Sequence, residues 1–186
     1  MKKITLIMIL ALSTQIANAQ IKIKPTGGFG APIISITQIG NETGLTIGGG
    51  GGMYINSRFF FGGFGEGTVI EHNPDERTYK DHYFEMGSGG FWLGYSQRLK
   101  SKHYLNLSAQ MGFGRMYLLK NEAISYYDDI SYVKPILEYE YRFHKVFGIA
   151  AGVAWPFFSD FDIPVYKAKD LSKPAASITL KFGWLQ

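Results

Sequence analysis

The chain contains no cysteine, which removes a disulfide framework, a thiolate metal site and a cysteine nucleophile together. Charged residues are scarce, at 18% of 186. They are scattered rather than gathered into a tail or onto helical faces, so neither a disordered region nor a nucleic-acid footprint is indicated. The net charge of +4 falls to +2 once Lys2 and Lys3 are set aside. Long apolar runs are missing as well. The stretch from Ile4 to Leu12 is too short for a spanning helix, which needs roughly 18 apolar residues, and no later segment approaches that length.

What is present begins with an address. Lys2 and Lys3 precede the apolar stretch, and Ala17-Asn18-Ala19 follows as a small-x-small cleavage site before Gln20. This is the layout of a secretory signal peptide. Residues 1–19 are expected to be removed, leaving residues 20–186 as a single domain large enough for a small closed fold.

Glycine (23 residues) and aromatics (16%) are abundant, and the remainder reads as strands and turns. Leu105, Leu107, Ala109, Met111 and Phe113 alternate with Asn106, Ser108, Gln110, Gly112 and Gly114, the period-two signature of a strand. Val133, Pro135, Leu137, Tyr139, Tyr141 and Phe143 alternate with Lys134, Ile136, Glu138, Glu140 and Arg142. Phe147 to Trp155 and Ala176 to Trp184 repeat the pattern with glycine, alanine, serine, threonine and Lys181 on the second face. Four earlier strands are expected at about 29–39, 45–55, 59–69 and 83–98 by the same criteria. Pro32 with Ile33-Ile34 and the run Phe59-Phe60-Phe61 leave the facing of the first and third open.

The connections alternate in length. Asn56-Ser57-Arg58, Lys100-Ser101-Lys102 and His144-Lys145 are short hairpin turns, whereas residues 70–81, 119–130 and 156–172 are long and polar. Gly40 to Gly44 is a brief fourth connection on the long-loop side. An even number of antiparallel strands with tight turns at one end and long loops at the other indicates a transmembrane β-barrel with eight strands in up-and-down order. The long-loop end holds eleven of the fifteen acidic residues, while the short-turn end carries Lys22, Lys24, Arg58, Arg98, Lys100, Lys102 and Lys145.

Alternation alone leaves a soluble lipocalin-like carrier open, with the apolar face lining a cavity. The make-up of the second face favours lipid outside. It is mainly glycine, alanine, serine and glutamine, which suits the crowded bore of an eight-stranded barrel better than a water-facing surface. Tyr139, Tyr141, Phe143, Phe147, Trp155, Phe182 and Trp184 lie toward strand ends on the apolar face, as an interfacial girdle would.

The signal peptide, the eight amphipathic strands, the alternating connections and the closing segment from Ala176 to Trp184 resemble the small outer-membrane β-barrel proteins of the OmpX and OmpA-barrel type. That resemblance implies an outer-membrane location and an encounter with the barrel-assembly machinery, which in that group reads a closing strand ending in an aromatic residue. Here the chain ends Trp184-Leu185-Gln186, one departure from that pattern.

Inward charges in so narrow a bore must pair, because each unpaired one costs several kcal/mol. A polar plug of Lys134, Glu138, Glu140, Arg142 and Lys181, with Glu85 and Gln110, is therefore expected. A serine hydrolase of the lipid-trimming kind would carry a His-x-Ser arrangement, and none of His72, His82, His103 and His144 has serine two positions on. No catalytic residue, cofactor or metal is assigned. Glu71, His72, Asp75, Glu76, Asp81 and His82 crowd one loop, and Tyr126-Tyr127-Asp128-Asp129 another, without a metal-ligand spacing. The loops, with Tyr79, Tyr126, Tyr127, Phe157, Phe158 and Phe161, offer aromatic contact groups for an extracellular protein partner. A structural or surface-interaction protein is the expected class; a narrow pore and a lipid-modifying enzyme are the alternatives.

Overall fold

The computed structural model describes residues 24–39, 42–68, 82–120, 123–163 and 166–185. Among these residues nine strands run in chain order: β1 (Pro25–Ile39), β2 (Glu42–Ile55), β3 (Phe59–Thr68), β4 (His82–Lys100), β5 (His103–Lys120), β6 (Ala123–His144), β7 (Phe147–Ala154), β8 (Phe157–Phe158) and β9 (Ala175–Trp184). A single helical turn, α1 (Ala168–Leu171), precedes β9. Every pairing is antiparallel, and each of the eight longer strands pairs with two others of that set. The sheet order β5-β4-β3-β2-β1-β9-β7-β6 is closed by the β5–β6 pairing. Eight strands thus form an up-and-down barrel with no free edge, and β8 is a short continuation against β6. No described helix is long and apolar enough to cross a membrane.

The hairpin at Asn56-Ser57 shows why such short turns work. Both residues take positive φ, 52° and 61°, and Arg58 N donates to Ile55 O at 3.2 Å, so the turn matches the right-handed twist of the strands it joins. At the seam between β9 and β1, Gly183 has φ +141°, and a Cβ there would lie 2.3 Å from Gly28 O. Only glycine fits that backbone and that approach.

Alternation divides the wall. Ile34, Ile36, Phe59, Phe61, Phe91, Leu93, Leu107, Phe113, Leu137, Val153 and Ile178 are exposed on the outside, while Phe29, Tyr54, Phe60, Phe64, Phe84 and Trp92 are buried inside. The two open registers are thereby assigned. Ala31 and Ile33 of β1 point inward and Ile34 and Ile36 outward; Phe60 points inward between Phe59 and Phe61. Glycines on β2 make room for the rings: a Cβ at Gly50 would stand 3.0 Å from Trp92 Cε3.

Two expectations are corrected. Residues 119–130 were expected to be a loop, but β5 continues to Lys120 and β6 starts at Ala123. The acidic and aromatic side chains there sit on a paired ladder, with Arg115 opposite Asp129 and Tyr117 opposite Tyr127, because cross-strand pairing satisfies the backbone that a loop would leave open. Glu85 was placed in the bore, but it lies on the outer wall of β4 with Tyr83 on one side and Gly87 on the other. His82 and Phe84 are the inward residues of that segment, and period two leaves Glu85 no inward direction.

Candidate functional site

Buried side chains line the bore from the short-turn end upward. β6 delivers Glu138, Glu140 and Arg142 inward at alternate positions, and β9 delivers Thr179 and Lys181. Lys181 Nζ lies 2.9 Å from Glu140 Oε2 and 3.7 Å from Glu138 Oε2. Arg142 Nε donates to Glu140 Oε1 at 2.5 Å, and its Nη2 reaches Ser96 Oγ at 3.2 Å and Tyr54 OH at 3.3 Å. Asn106 Nδ2 donates to Glu140 Oε2 at 2.6 Å and Thr179 Oγ1 to Glu138 Oε1 at 2.6 Å. The two carboxylates and two cations balance within one buried cluster. Both cations also lie over rings, Arg142 at 3.6 Å from the Tyr104 centroid and Lys181 at 5.3 Å from that of Phe29, where the ring quadrupole adds attraction.

Phe29, Tyr54, Phe60 and Trp92 pack against one another beside this cluster, with centroids 5.3 to 5.8 Å apart. Trp92 Nε1 donates to Ser108 Oγ at 3.1 Å. Gln110 is buried on the same inward face, and its Oε1 accepts no hydrogen bond from the described residues.

Nearer the long-loop end a second polar group forms around Glu66, a residue the sequence pattern did not single out. Lys134 Nζ donates to its two carboxylate oxygens at 2.7 and 2.6 Å, and Tyr132 OH to Oε1 at 2.5 Å. Ser88 and Tyr132 share a hydrogen bond at 2.9 Å. Phe64, two residues before Glu66, points the same way and has the Lys134 ammonium 5.6 Å from its ring. The signal was the parity of β3: once Phe60 is inward, Phe64 and Glu66 follow.

Above Glu66 and Lys134 a cavity of about 50 Å³ is roofed by the segment after β7, with Pro156, Phe158 and Leu171 among its lining. That segment is tied down on both sides. Trp155 Nε1 donates to Ser172 O at 3.2 Å, Phe158 N to Ser172 Oγ at 3.2 Å, Ser159 N to Ser131 O at 2.9 Å and Asp162 N to Asp128 Oδ2 at 2.6 Å. Ile163, Tyr166 and Leu171 are buried, with the Tyr166 ring 5.1 Å from Phe84. Part of the connection expected to be long and polar, residues 156–172, therefore packs over this cavity, with Ile163, Tyr166 and Leu171 in one buried cluster with Phe84.

The outer wall carries an apolar belt between two polar rims. On β5, Leu105 to Phe113 present no ionisable group outward, and on β6 the same holds from Val133 to Phe143 apart from tyrosines. At the short-turn end the aromatics form a chain of contacts: Tyr141–Phe143 at 4.8 Å, Phe143–Phe147 at 5.5 Å and Phe147–Phe182 at 5.0 Å between centroids. His103 and Tyr139 share a hydrogen bond, and Lys145 lies 5.5 Å from the Trp184 ring. Phe59 and Tyr95, 5.0 Å apart, continue the ring and were not anticipated. Trp155 stands apart from this group. It stacks with Phe157 toward the long-loop end.

Just beyond the belt, Arg115 Nε donates to Asp129 Oδ1 at 2.7 Å, and the guanidinium lies 5.2 Å from the Tyr127 ring. The hydrogen bond and charge of Arg115 hold the Asp129 carboxyl below the usual carboxylate range. Glu71, His72, Asp75, Glu76, Tyr79 and Asp81, and the leader at residues 1–19, lie outside the described residues. Among those described, no three of histidine, aspartate and glutamate converge as metal donors.

No family model matches the chain, and no curated protein matches it. Solved structures do. Neisserial surface protein A superposes with a TM-score of 0.61 at 13% identity, covering 86% of this chain and 95% of that one. Ail, the attachment invasion locus protein of Yersinia pestis, gives 0.53 at 11% identity over 87% of this chain and 98% of that one. Ail in complex with the heparin analogue sucrose octasulfate gives 0.52 at 12%, over 85% and 96%. At such identities the likeness is one of fold, and the fold of this chain is that of the small eight-stranded outer-membrane β-barrels.

Proposed function

We propose that the chain is an integral outer-membrane protein whose barrel is a sealed scaffold and whose working surface is the wall of β4, β5 and β6 that rises above the lipid. The observation that supports this reading is the pairing of inward-packed side chains with overlong strands. A tilted strand crosses the hydrocarbon in roughly 9–11 residues, whereas β4, β5 and β6 have 19, 18 and 22. The excess is all at the long-loop end, since the short turns join the strands directly at the other. In an outer-membrane barrel the short turns face the periplasm and the long loops face outward.

The exposed part of this wall carries Tyr83, Ile124, Tyr126 and Tyr127, each at least one-third exposed. Aromatic groups on a rigid sheet suit contact with another protein or a polymer. A surface role is supported by the fold shared with a surface protein and with an attachment protein that takes a sulfated heparin analogue. Export by residues 1–19 and delivery through the barrel-assembly machinery belong to the same proposal.

Two measurements test it. The protein in a washed outer-membrane fraction is expected to run differently in SDS unboiled and boiled, and purified barrels are expected to leave planar bilayers silent. A protein free in the periplasm overturns the membrane reading, and steady single-channel currents overturn the sealed scaffold.

A further inference from the structure

The short-turn end of β3, β4 and β5 has two features that the filled bore does not use. On the outer wall Ala109 stands between Leu93 and Pro135 across the strands, with Leu107 next to it on its own face. Its single methyl leaves a groove of about 590 Å³ along the wall, with Phe61 on its side and Phe59 and Tyr95 at its foot. Directly below the foot, the β2–β3 and β4–β5 turns present Arg58, Arg98, Lys100 and Lys102, all exposed.

No exposed acidic residue stands at this end among the described residues. The carboxylates nearest to it, Glu138 and Glu140, are buried and already matched by Arg142 and Lys181. Among the described residues no acidic side chain therefore offsets the rim charge. Arg98 is partly committed, since its Nη2 donates to Ser101 O at 3.0 Å and braces the turn.

We propose that this face holds an anionic phospholipid of the leaflet that meets the short turns, with an acyl chain along the Ala109 groove and its phosphate against Arg58, Lys100 and Lys102. The inference rests on the transmembrane reading above. The groove is apolar along its length and opens onto the lipid belt, so its occupant is hydrocarbon; the cations at its foot select the sign of the headgroup. Tyr95 and Phe59 mark the junction, at the level where aromatic side chains favour the interface. Cations close to a membrane surface each add to the attraction of anionic lipid.

The test is native mass spectrometry of the folded, detergent-solubilised barrel with phosphatidylglycerol or phosphatidylcholine of identical acyl chains. One phosphatidylglycerol is expected to be retained at least about 10-fold in preference to phosphatidylcholine. The triple variant Arg58→Gln, Lys100→Gln, Lys102→Gln is expected to lose the preference while keeping residual binding of both lipids. Ala109→Leu fills the groove from the lipid side without touching the bore and is expected to weaken both. Should that variant fail to fold, Ala109→Val is the smaller filling. Equal retention of the two lipids by the unaltered protein, or an unchanged preference in the triple variant, overturns the proposal. The unboiled-gel shift of the same samples separates the two failures: a protein without the shift fails the barrel reading, and one with the shift but no preference fails only this inference.

Discussion

Lys181 of β9 places its ammonium 2.9 Å from the Glu140 carboxylate of β6, although β7 runs between the two strands. The contact crosses β7 above Gly148 and Ala150, whose small side chains leave the space free. A Cβ at Gly148 would already lie 3.4 Å from Glu140 Oε1. The ion cluster and the small residues of β7 are one design.

Removing Lys181 should therefore be costly. Lys181→Met leaves Glu138 and Glu140 buried with Arg142 as the remaining cation of the cluster, and breaking one partner from a buried set costs about 3–5 kcal/mol. The barrel is expected to lose its unboiled-gel shift at a lower temperature than the unaltered protein. Adding Glu138→Gln restores the charge balance and should recover part of the loss. An unchanged transition temperature in Lys181→Met would show that the cluster contributes nothing to stability.

Gly152 gives a steric counterpart. A Cβ there would stand 2.2 Å from Leu137 O and 2.8 Å from Glu138 Cα, both parts of a backbone that cannot yield without breaking the β6–β7 ladder. Gly152→Val is expected to leave little heat-modifiable protein on refolding, whereas Ala151→Val, one residue away on the outer face, should refold normally. Equal yields from the two variants would contradict the inward crowding.

Much of this was legible in the sequence where alternation was clean. On β5, β6 and β9 most alternate residues differ in polarity, and on β7 they differ in size, so period two put Glu138, Glu140, Arg142 and Lys181 on one face and the small residues of that face pointed it inward. Glu66 was not, because Phe59-Phe60-Phe61 has no polarity contrast and so hides the parity of β3 from which Glu66 follows. Glu85 was misplaced for a related reason: it lies beyond the lipid belt, where outward positions meet water and polarity no longer reports facing. The packing of the 156–172 connection was not foreseen because Ile163, Tyr166 and Leu171 are single apolar residues with no period, and only the structure shows them buried in one cluster with Phe84.

The Arg115–Asp129 pair offers a pH-dependent observable outside the lipid. Arg115 lowers the Asp129 carboxyl pKa by its hydrogen bond and charge, so the pair's contribution is full above the ordinary carboxylate range and is lost as pH falls through the lowered value. Both side chains are well exposed, and solvent screens such a pair strongly. Arg115→Gln is expected to return the Asp129 titration, followed by NMR of its side-chain carboxyl, to the usual range without a detectable change in the gel transition. A titration that does not move would show that the pair is not formed in solution.

The two polar groups in the bore also make a prediction about conduction. Replacing Glu66 and Lys134 together by alanine removes both members of a buried pair and so leaves no unmatched charge, and the double variant is expected to fold. It widens the cavity of about 50 Å³ under Leu171 and Phe158, yet Phe29, Tyr54, Phe60 and the Lys181 cluster still fill the bore toward the short turns. Planar bilayers containing this variant are expected to stay silent, as with the unaltered protein. Adding Lys181→Ala and Glu140→Ala removes polar filling from both ends, and the quadruple variant is where intermittent current should first appear. Steady current in the double variant would mean that the lower cluster does not seal the barrel, and the scaffold reading would give way to that of a gated pore.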